Sequence, residues 1–354
     1  MRVALAAGRG VVQERVMTSH RSPVGPFHEG ELRAQRLAGE TAEGESNGAM
    51  IGDKLMISAL RFIRVQKMAF VSSRDERGRR WASLLAGPAG FMEPADRKTL
   101  TISIDPAEND PADVLWENVR GDEHVGLLII ALETRQRLRV NGRAHFADGK
   151  LTMRVDESYG NCPKYITRRA IELAPLADAS SSGVEKPPGE MAKSPPLTSL
   201  RGASRGSQLG ATQIALLRAT DILFLATGHP ERGADASHRG GNPGFVEVVD
   251  ANTLRVPDYS GNSLFNTLGN LLVDAHLGML VPDFRGGQML QLTGTARVDW
   301  SVPDAEQCAG GTGRFMEFKI EEWRARALPV KLANAALEYS PYNPQCIPQD
   351  SHAT

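Results

Sequence analysis

Cysteine is scarce in this chain of 354 residues: Cys162, Cys308 and Cys346 stand far apart, with no CxxC pair and no Cys/His cluster. That pattern argues against a structural zinc site. An odd, sparse count also fits a reducing cytoplasm better than an oxidising compartment. Charge of one sign is missing too, since 41 Lys and Arg face 42 Asp and Glu for a net charge of −1. Neither nucleic acid nor an anionic membrane is therefore implied as the main partner. No apolar run approaches the length of a membrane span. The N-terminus is broken by Arg2, Arg9 and Arg15 and lacks the apolar core of a signal peptide. Residues 1–26 are expected to be a disordered tail, or an upstream extension with Met17 as the true start.

Glycine (35) and proline (21) are plentiful, which favours turns and β structure. The chain also repeats itself. Ala82-Ser83 matches Ala236-Ser237, Gly90-Phe91 matches Gly244-Phe245, and Thr99-Leu100 matches Thr253-Leu254, all at one offset. His124 with His276 and Gly142 with Gly294 continue the series two residues closer together. Five ordered matches exceed chance, and repeats of this kind fix the architecture before other signals do. Each copy reads as short strands: MAFVSS, TLTISI, VGLLII and RLRVNGRAHF, then DILFLAT, FVEVVD, LGMLV and MLQLTGTARV. One helix is expected in each copy, at DVLWENV and SLFNTLGNLL, and FHEGELRAQRLAGE reads as a polar helix before the first. The fold expected is mainly β with some α: a first barrel over 27–177 with its N-terminal helix, and a second over 209–330. Between them, 178–208 is rich in Ser, Pro, Gly and Lys and reads as a flexible linker. Residues 331–354 read as a proline-broken tail.

The stretch DASHRGGNPGF, Asp235 to Phe245, sets Ser237, His238 and Arg239 beside Gly240, Gly241 and Gly244. A hydroxyl and a planar guanidinium suit phosphate oxygens, and glycines let backbone N–H groups approach an anion. A hairpin turn with an exposed arginine explains those residues equally well. A second cluster tips the balance toward a ligand: Asp258, Tyr259, Gly261 and Asn262 at a turn, then Asn266 and Asn270 at i, i+4 on one helix face. Asn262 by itself reads as a helix cap.

At these residues the chain resembles the flavin-nucleotide-binding proteins related to pyridoxamine 5′-phosphate oxidase, which fold as FMN-binding split barrels. The resemblance rests on Ser237-His238-Arg239-Gly240, Pro243-Gly244-Phe245-Val246, Thr253-Leu254, Pro257-Asp258 and Gly261-Asn262 in the second copy. In the first it rests on Leu138 to Ala144 (LRVNGRA) and on Cys162-Pro163-Lys164 with Arg168 and Arg169. It spans roughly residues 27–330. The motifs are divided: the first copy has SLLAG where the second has SHRGG, and the second lacks a CPK element. The resemblance implies two tandem antiparallel Greek-key split barrels forming a pseudo-dimer within one chain. Members of that family bind FMN at a dimer interface, so the divided motifs are read here as one FMN between the halves, held by Ser237, His238, Arg239, Gly240, Gly241, Gly244, Phe245, Asp258, Tyr259, Gly261, Asn262, Asn266 and Asn270, with Cys162, Lys164, Arg168 and Arg169 closing from the other copy. The activity expected is a cytoplasmic oxidoreductase using NADH, NADPH or another donor. A flavin carrier or sensor without turnover, or the same barrel holding haem or a deazaflavin, is the alternative. No catalytic residue stands out, and pairing into a homodimer is left open. His124 and His276 read as structural.

Overall fold

The computed structural model describes residues 25–105, 109–173, 204–304, 307–333 and 337–346. The segments 1–24 and 347–354, and most of the linker (174–203), lie outside the described residues. In chain order the first half comprises α1 (Glu29–Ala38), α2 (Thr41–Gly48), α3 (Ile57–Val65), β1 (Met68–Arg74), β2 (Arg80–Ala86), β3 (Met92–Pro94) and β4 (Thr99–Ser103). It continues with α4 (Leu115–Gly121), β5 (His124–Ala131), β6 (Gln136–Ala147), β7 (Lys150–Asn161) and β8 (Ile171–Leu173). The second half comprises β9 (Ser204–Gly206), α5 (Ala211–Ala219), β10 (Ile222–His229), β11 (Gly233–Gly240), β12 (Glu247–Val248) and β13 (Thr253–Pro257). It ends with α6 (Asn266–Leu271), β14 (His276–Asp283), β15 (Gln288–Asp299), β16 (Phe315–Ala327) and β17 (Val330–Leu332).

Each half contributes one main antiparallel sheet, and the two share a strand order: β2-β1-β5-β6-β7-β4-β3, and β11-β10-β14-β15-β16-β13-β12; β9 adds to β16, and β8 pairs with β17 across the halves. Details recur as well. The register slips between Asn141 and Gly142 on β6 and again between Thr293 and Gly294 on β15. At both slips a Cβ on the glycine would strike the neighbouring strand's backbone. His124 bonds Asp122 through Nδ1 as His276 bonds Asp274, which gives both histidines a structural role.

The run VGLLII and its counterparts are apolar throughout because these strands are buried on both faces. Side chains alternate across a strand. On β1, Ala69 and Val71 enter the first barrel's core while Met68 and Phe70 enter a core between the barrels. On β10, Leu223 and Leu225 fill the second barrel while Ile222, Phe224 and Ala226 face the first. Phe70 and Phe224, at equivalent positions, stack with 8° between their planes. β11 packs on β5 and β6, and reciprocally β2 packs on β14 and β15. Gly126 and Gly278 make those crossings close, since a Cβ at either would meet backbone of the opposite half. The two split barrels thus form an intrachain pseudo-dimer.

α1 opens with a capping box in which His28 caps and the Glu31 side chain returns to the His28 N–H, and it ends at Gly39 in the left-handed region. It crosses α6 with Gly30 against the carbonyl of Gly269. Where the sequence suggested a trailing C-terminus, residues 337–346 return to the body, with Ser340 and Asn343 buried. Cys308 and Cys346 form a disulfide, a pairing that three scattered cysteines did not foreshadow.

Candidate functional site

A cleft opens where β11 of the second barrel meets β6 of the first. Its lining includes Ser237, His238, Arg239 and Gly240 from β11, and Arg137 and Arg139 from β6. The segment after β7 adds Asn161, Cys162 and Tyr165, and the second barrel adds Asp258, Tyr259, Gly261, Asn262, Asn266 and Arg314. Both halves build it.

The glycine stretch differs from its expected form. Gly233–Gly240 is an edge strand paired in full with β10, from His229↔Gly233 to Ile222↔Gly240, and not a phosphate-cradling loop. Strand alternation is what aims its side chains. Gly240 lets the carbonyl of Tyr165 lie against it. Gly241, Gly244 and Phe245 fall outside the cleft. Gly241 makes room for the Phe245 ring, Gly244 takes φ +92° in the turn, and Phe245 packs on the second barrel's core. Asn270 also lies outside it, donating to Thr227 and contacting His28.

The basic element of the first copy is likewise placed elsewhere. Lys164 rests over the Tyr342 ring, 5.5 Å from its centroid. Arg168 pairs with Glu338 at 3.1 Å in solvent, and Arg169 is buried against Asp221. Only Cys162 of that group reaches the cleft. Tyr165 takes φ +64°, and beyond it Arg168 pairs with Glu338, which carries Arg168 and Arg169 away from the cleft. Arg137, Arg139 and Arg314 supply the positive charge instead. A signal for the first two existed: Arg137, Arg139 and Asn141 alternate with Leu138 and Val140, so all three share the face of β6 opposite its barrel core.

The polar groups form a connected set. Arg139 donates to Ser237 Oγ at 2.6 Å, Asn266 Oδ1 at 2.9 Å and Tyr159 Oη at 2.7 Å, and its Nε lies 3.2 Å from Asp235. Thr267 donates to Ser237 at 2.7 Å. Arg239 pairs with Asp258 at 3.2 Å, and Arg314 bridges Asp258 and Glu40, each at 3.0 Å. Arg137 differs. Its Nη1 donates to His238 Nδ1 at 3.0 Å and Nη2 approaches Cys162 Sγ at 4.0 Å, with no carboxylate in ion-pair range among the described residues. Burial pulls its pKa down to about 10. Burial, with Arg137 and Arg239 nearby, holds His238 well below the usual histidine range, so the ring is neutral. A guanidinium can only donate, so Nδ1 accepts and the proton sits on Nε2. That Nε2–H, Arg137 Nε and Arg239 Nε are buried and have no partner among the described residues. Four guanidiniums thus face three carboxylates, and every orphan among these three is a donor.

Glu31 on α1 stands behind this set. Its Oε1 accepts from Asn266 Nδ2 at 2.5 Å and its Oε2 from the His28 N–H at 2.9 Å. Burial raises its pKa to about 8. Nearby, His28, Glu29 and His229 have metal-ligand spacing. Both imidazoles use Nδ1 to accept backbone N–H groups, from Gly30 and from Glu231 and Arg232. Each Nε2 therefore carries the proton and offers a metal no lone pair.

Among the described residues, no helix is long and apolar enough to cross a membrane. No family model matches the chain, and no curated protein matches it. Several solved structures are similar to part of it. The FAD binding protein from Mycobacterium smegmatis is 12% identical, covering 36% of this chain and 100% of its own, with a TM-score of 0.25. A FAD-binding protein from Mesorhizobium loti is 13% identical, covering 35% and 96%, with a TM-score of 0.24. A protein from Lactobacillus delbrueckii, described as a candidate pyridoxamine 5′-phosphate oxidase, is 15% identical, covering 33% and 94%, with a TM-score of 0.28. Each is matched over nearly its whole length by about a third of this chain.

Proposed function

We propose that this chain binds one flavin mononucleotide in the cleft between its barrels and acts as an oxidoreductase, with NADH, NADPH or another small molecule as electron donor. One observation carries the reading: among the described residues, Arg137, Arg239 and His238 present buried N–H donors without acceptors, and Arg137 has no counter-charge. A buried cation without a partner is costly, and an acceptor-rich anion such as a phosphate monoester complements it. Arg137 and Arg239 would hold the anion from opposite halves, and His238 would donate through Nε2. Asp258 fixes Arg239 and Arg314 without neutralising Arg137. The partly exposed rings of Tyr165 and Tyr259, with centroids 5.0 Å apart, offer apolar faces to a planar group. When bound, the flavin itself supplies the electron-transfer chemistry, while the chain binds and orients it.

A second reading, a flavin carrier or sensor without turnover, is favoured by the size of the cleft. Its enclosed volume is about 100 Å³, below the roughly 300–1,000 Å³ of pockets that enclose a whole drug-sized ligand. The cleft would therefore enclose only the phosphate end of a flavin, leaving the ring and any substrate beside it largely unsheltered. Reconstitution with FMN followed by a visible spectrum tests the binding. Two broad bands in the blue and near ultraviolet are expected, and a spectrum unchanged from free FMN, or a Soret band in the isolated protein, would count against it. Steady NADH or NADPH oxidation by the reconstituted protein separates enzyme from carrier.

A further inference from the structure

Residues 337–346 form a strap running from one barrel to the other beside the cleft. At its start Glu338 exchanges backbone hydrogen bonds with Arg168, at 2.8 and 3.0 Å, and Arg135 donates to the carbonyls of Glu338 and Tyr339. Ser340 Oγ accepts the Tyr165 N–H at 3.1 Å. Farther on, Asn343 donates to Asn242 and Asn242 donates to the Pro344 carbonyl, both in the second barrel's β11–β12 turn region. The strap then ends covalently, with Cys346 bonded to Cys308. Pro344 lies beside Gly310, which in turn approaches the Tyr259 ring.

Tyr165 and Tyr259 line the cleft, one from each half, and the Tyr165 hydroxyl crosses to the Ser260 carbonyl at 2.9 Å. Tyr165 also sits at φ +64°, a conformation that a side-chain-bearing residue keeps only when its surroundings impose it. The bond to Ser340 is one such constraint. The hydrogen bonds of the strap are individually modest. The disulfide is of a different order, closing a sequence separation of 38 residues and removing freedom from the released chain. In a reducing compartment such a bond is commonly a transient, redox-sensing one.

We propose that the Cys308–Cys346 disulfide is a redox latch on the cleft. Closed, it holds the strap and Tyr165 in place and retains the bound ligand; a dithiol reductant opens it and speeds ligand release. In the step, two electrons and two protons pass from the dithiol to the S–S bond. That bond breaks, Cys308 and Cys346 become thiols, and the reductant becomes a disulfide. The inference rests on the flavin reading only for the identity of the ligand.

The test uses the full-length chain with and without dithiothreitol, the redox state verified by alkylation and mass. FMN release is followed by recovery of its fluorescence, and amide hydrogen exchange is read at 163–168 and 258–262. Reduction is expected to raise the release rate about tenfold and to increase exchange in both segments. Cys308→Ser should release as fast without reductant and show no further response. Unchanged release and exchange after verified reduction would overturn the latch. If no FMN binds in either state, the flavin reading fails while exchange still decides the latch. Ser340→Ala, which keeps the disulfide but loses the tie to Tyr165, guards against a serine variant that does not fold. Faster release is expected from it, and release unchanged from the parent would overturn the role given to the strap.

Discussion

The two faces where one barrel's edge strand meets the other barrel are equivalent in backbone and opposite in content. On one, Ser237, His238 and Arg239 of β11 meet Arg137 and Arg139 of β6 around a cleft. On the other, the counterparts on β2 are Ser83, Leu84 and Leu85, and those on β15 are Met289 and Gln291. There Leu84 and Met289 are buried in the core between the barrels. Gln291, where the first half has Arg139, donates to the Ala82 carbonyl at 2.9 Å and to Asp113 Oδ2 at 3.0 Å. Ser83 remains and donates to Asp113 at 2.6 Å, as its counterpart Ser237 meets Arg139 and Thr267. One face is largely apolar, with Gln291 Oε1 an unpaired acceptor among the described residues, and the other is left with cations and unpaired donors. Four side chains, not the fold, set this difference between the faces.

Copying the closed face into the open one should break the difference. The largest effect is expected from Arg139→Gln, which leaves Asp235 buried without its cation. Breaking a buried pair costs about 3–5 kcal/mol. Burial already raises the Asp235 pKa, so proton uptake should hold the loss near about 3 kcal/mol, read from denaturant unfolding.

Glu31→Gln should alter the pH profile of stability. Glu31 ionises near 8 when folded and near its ordinary value when unfolded. The folded state therefore binds more protons between those values, and stability falls as pH rises from about 4.5 to about 8, then levels. The glutamine variant should lose that slope and gain on the order of a few kcal/mol relative to the parent at pH 9. Parallel stability–pH curves for the two proteins would remove Glu31 from the account.

Arg137→Met, which installs the residue found at position 289, should weaken FMN binding by about 10- to 100-fold, the scale of a charged hydrogen bond of about 1.5–3 kcal/mol. Its melting temperature should hold or rise, because the lost cation had no counter-charge. Arg239→Ala should cost about tenfold in affinity, since Arg314 keeps Asp258 paired. Lys164→Ala should change FMN affinity by less than about twofold, since the ammonium rests over the Tyr342 ring and does not line the cleft. A large loss there would restore the basic element that the sequence suggested and the structure pairs elsewhere.

The repeat, the strand runs and the three helices FHEGELRAQRLAGE, DVLWENV and SLFNTLGNLL were readable because apolar alternation and ordered matches report burial directly. β2, β7, β11 and β16 were harder. DASHRGG carries polar residues at positions that face the other barrel, and a sequence read one strand at a time shows no partner there. The same gap hid Arg137 and Arg139: their alternation with Leu138 and Val140 gives them a face, but what that face meets is set by how two barrels pack. Arg314 follows the turns at Gly310, Gly311 and Gly313, and no local pattern aims it toward Asp258. Lys164, Arg168 and Arg169 were expected at the phosphate only through the family resemblance, since the residues alone read as a solvated basic segment, and a motif shows charge and not direction.

The most direct test of the central claim is the stoichiometry of FMN on the full-length chain, measured by titration with fluorescence or calorimetry. One FMN per chain is the predicted endpoint, with the apolar face around Leu84 and Met289 taking none. Two per chain, or none, would contradict it.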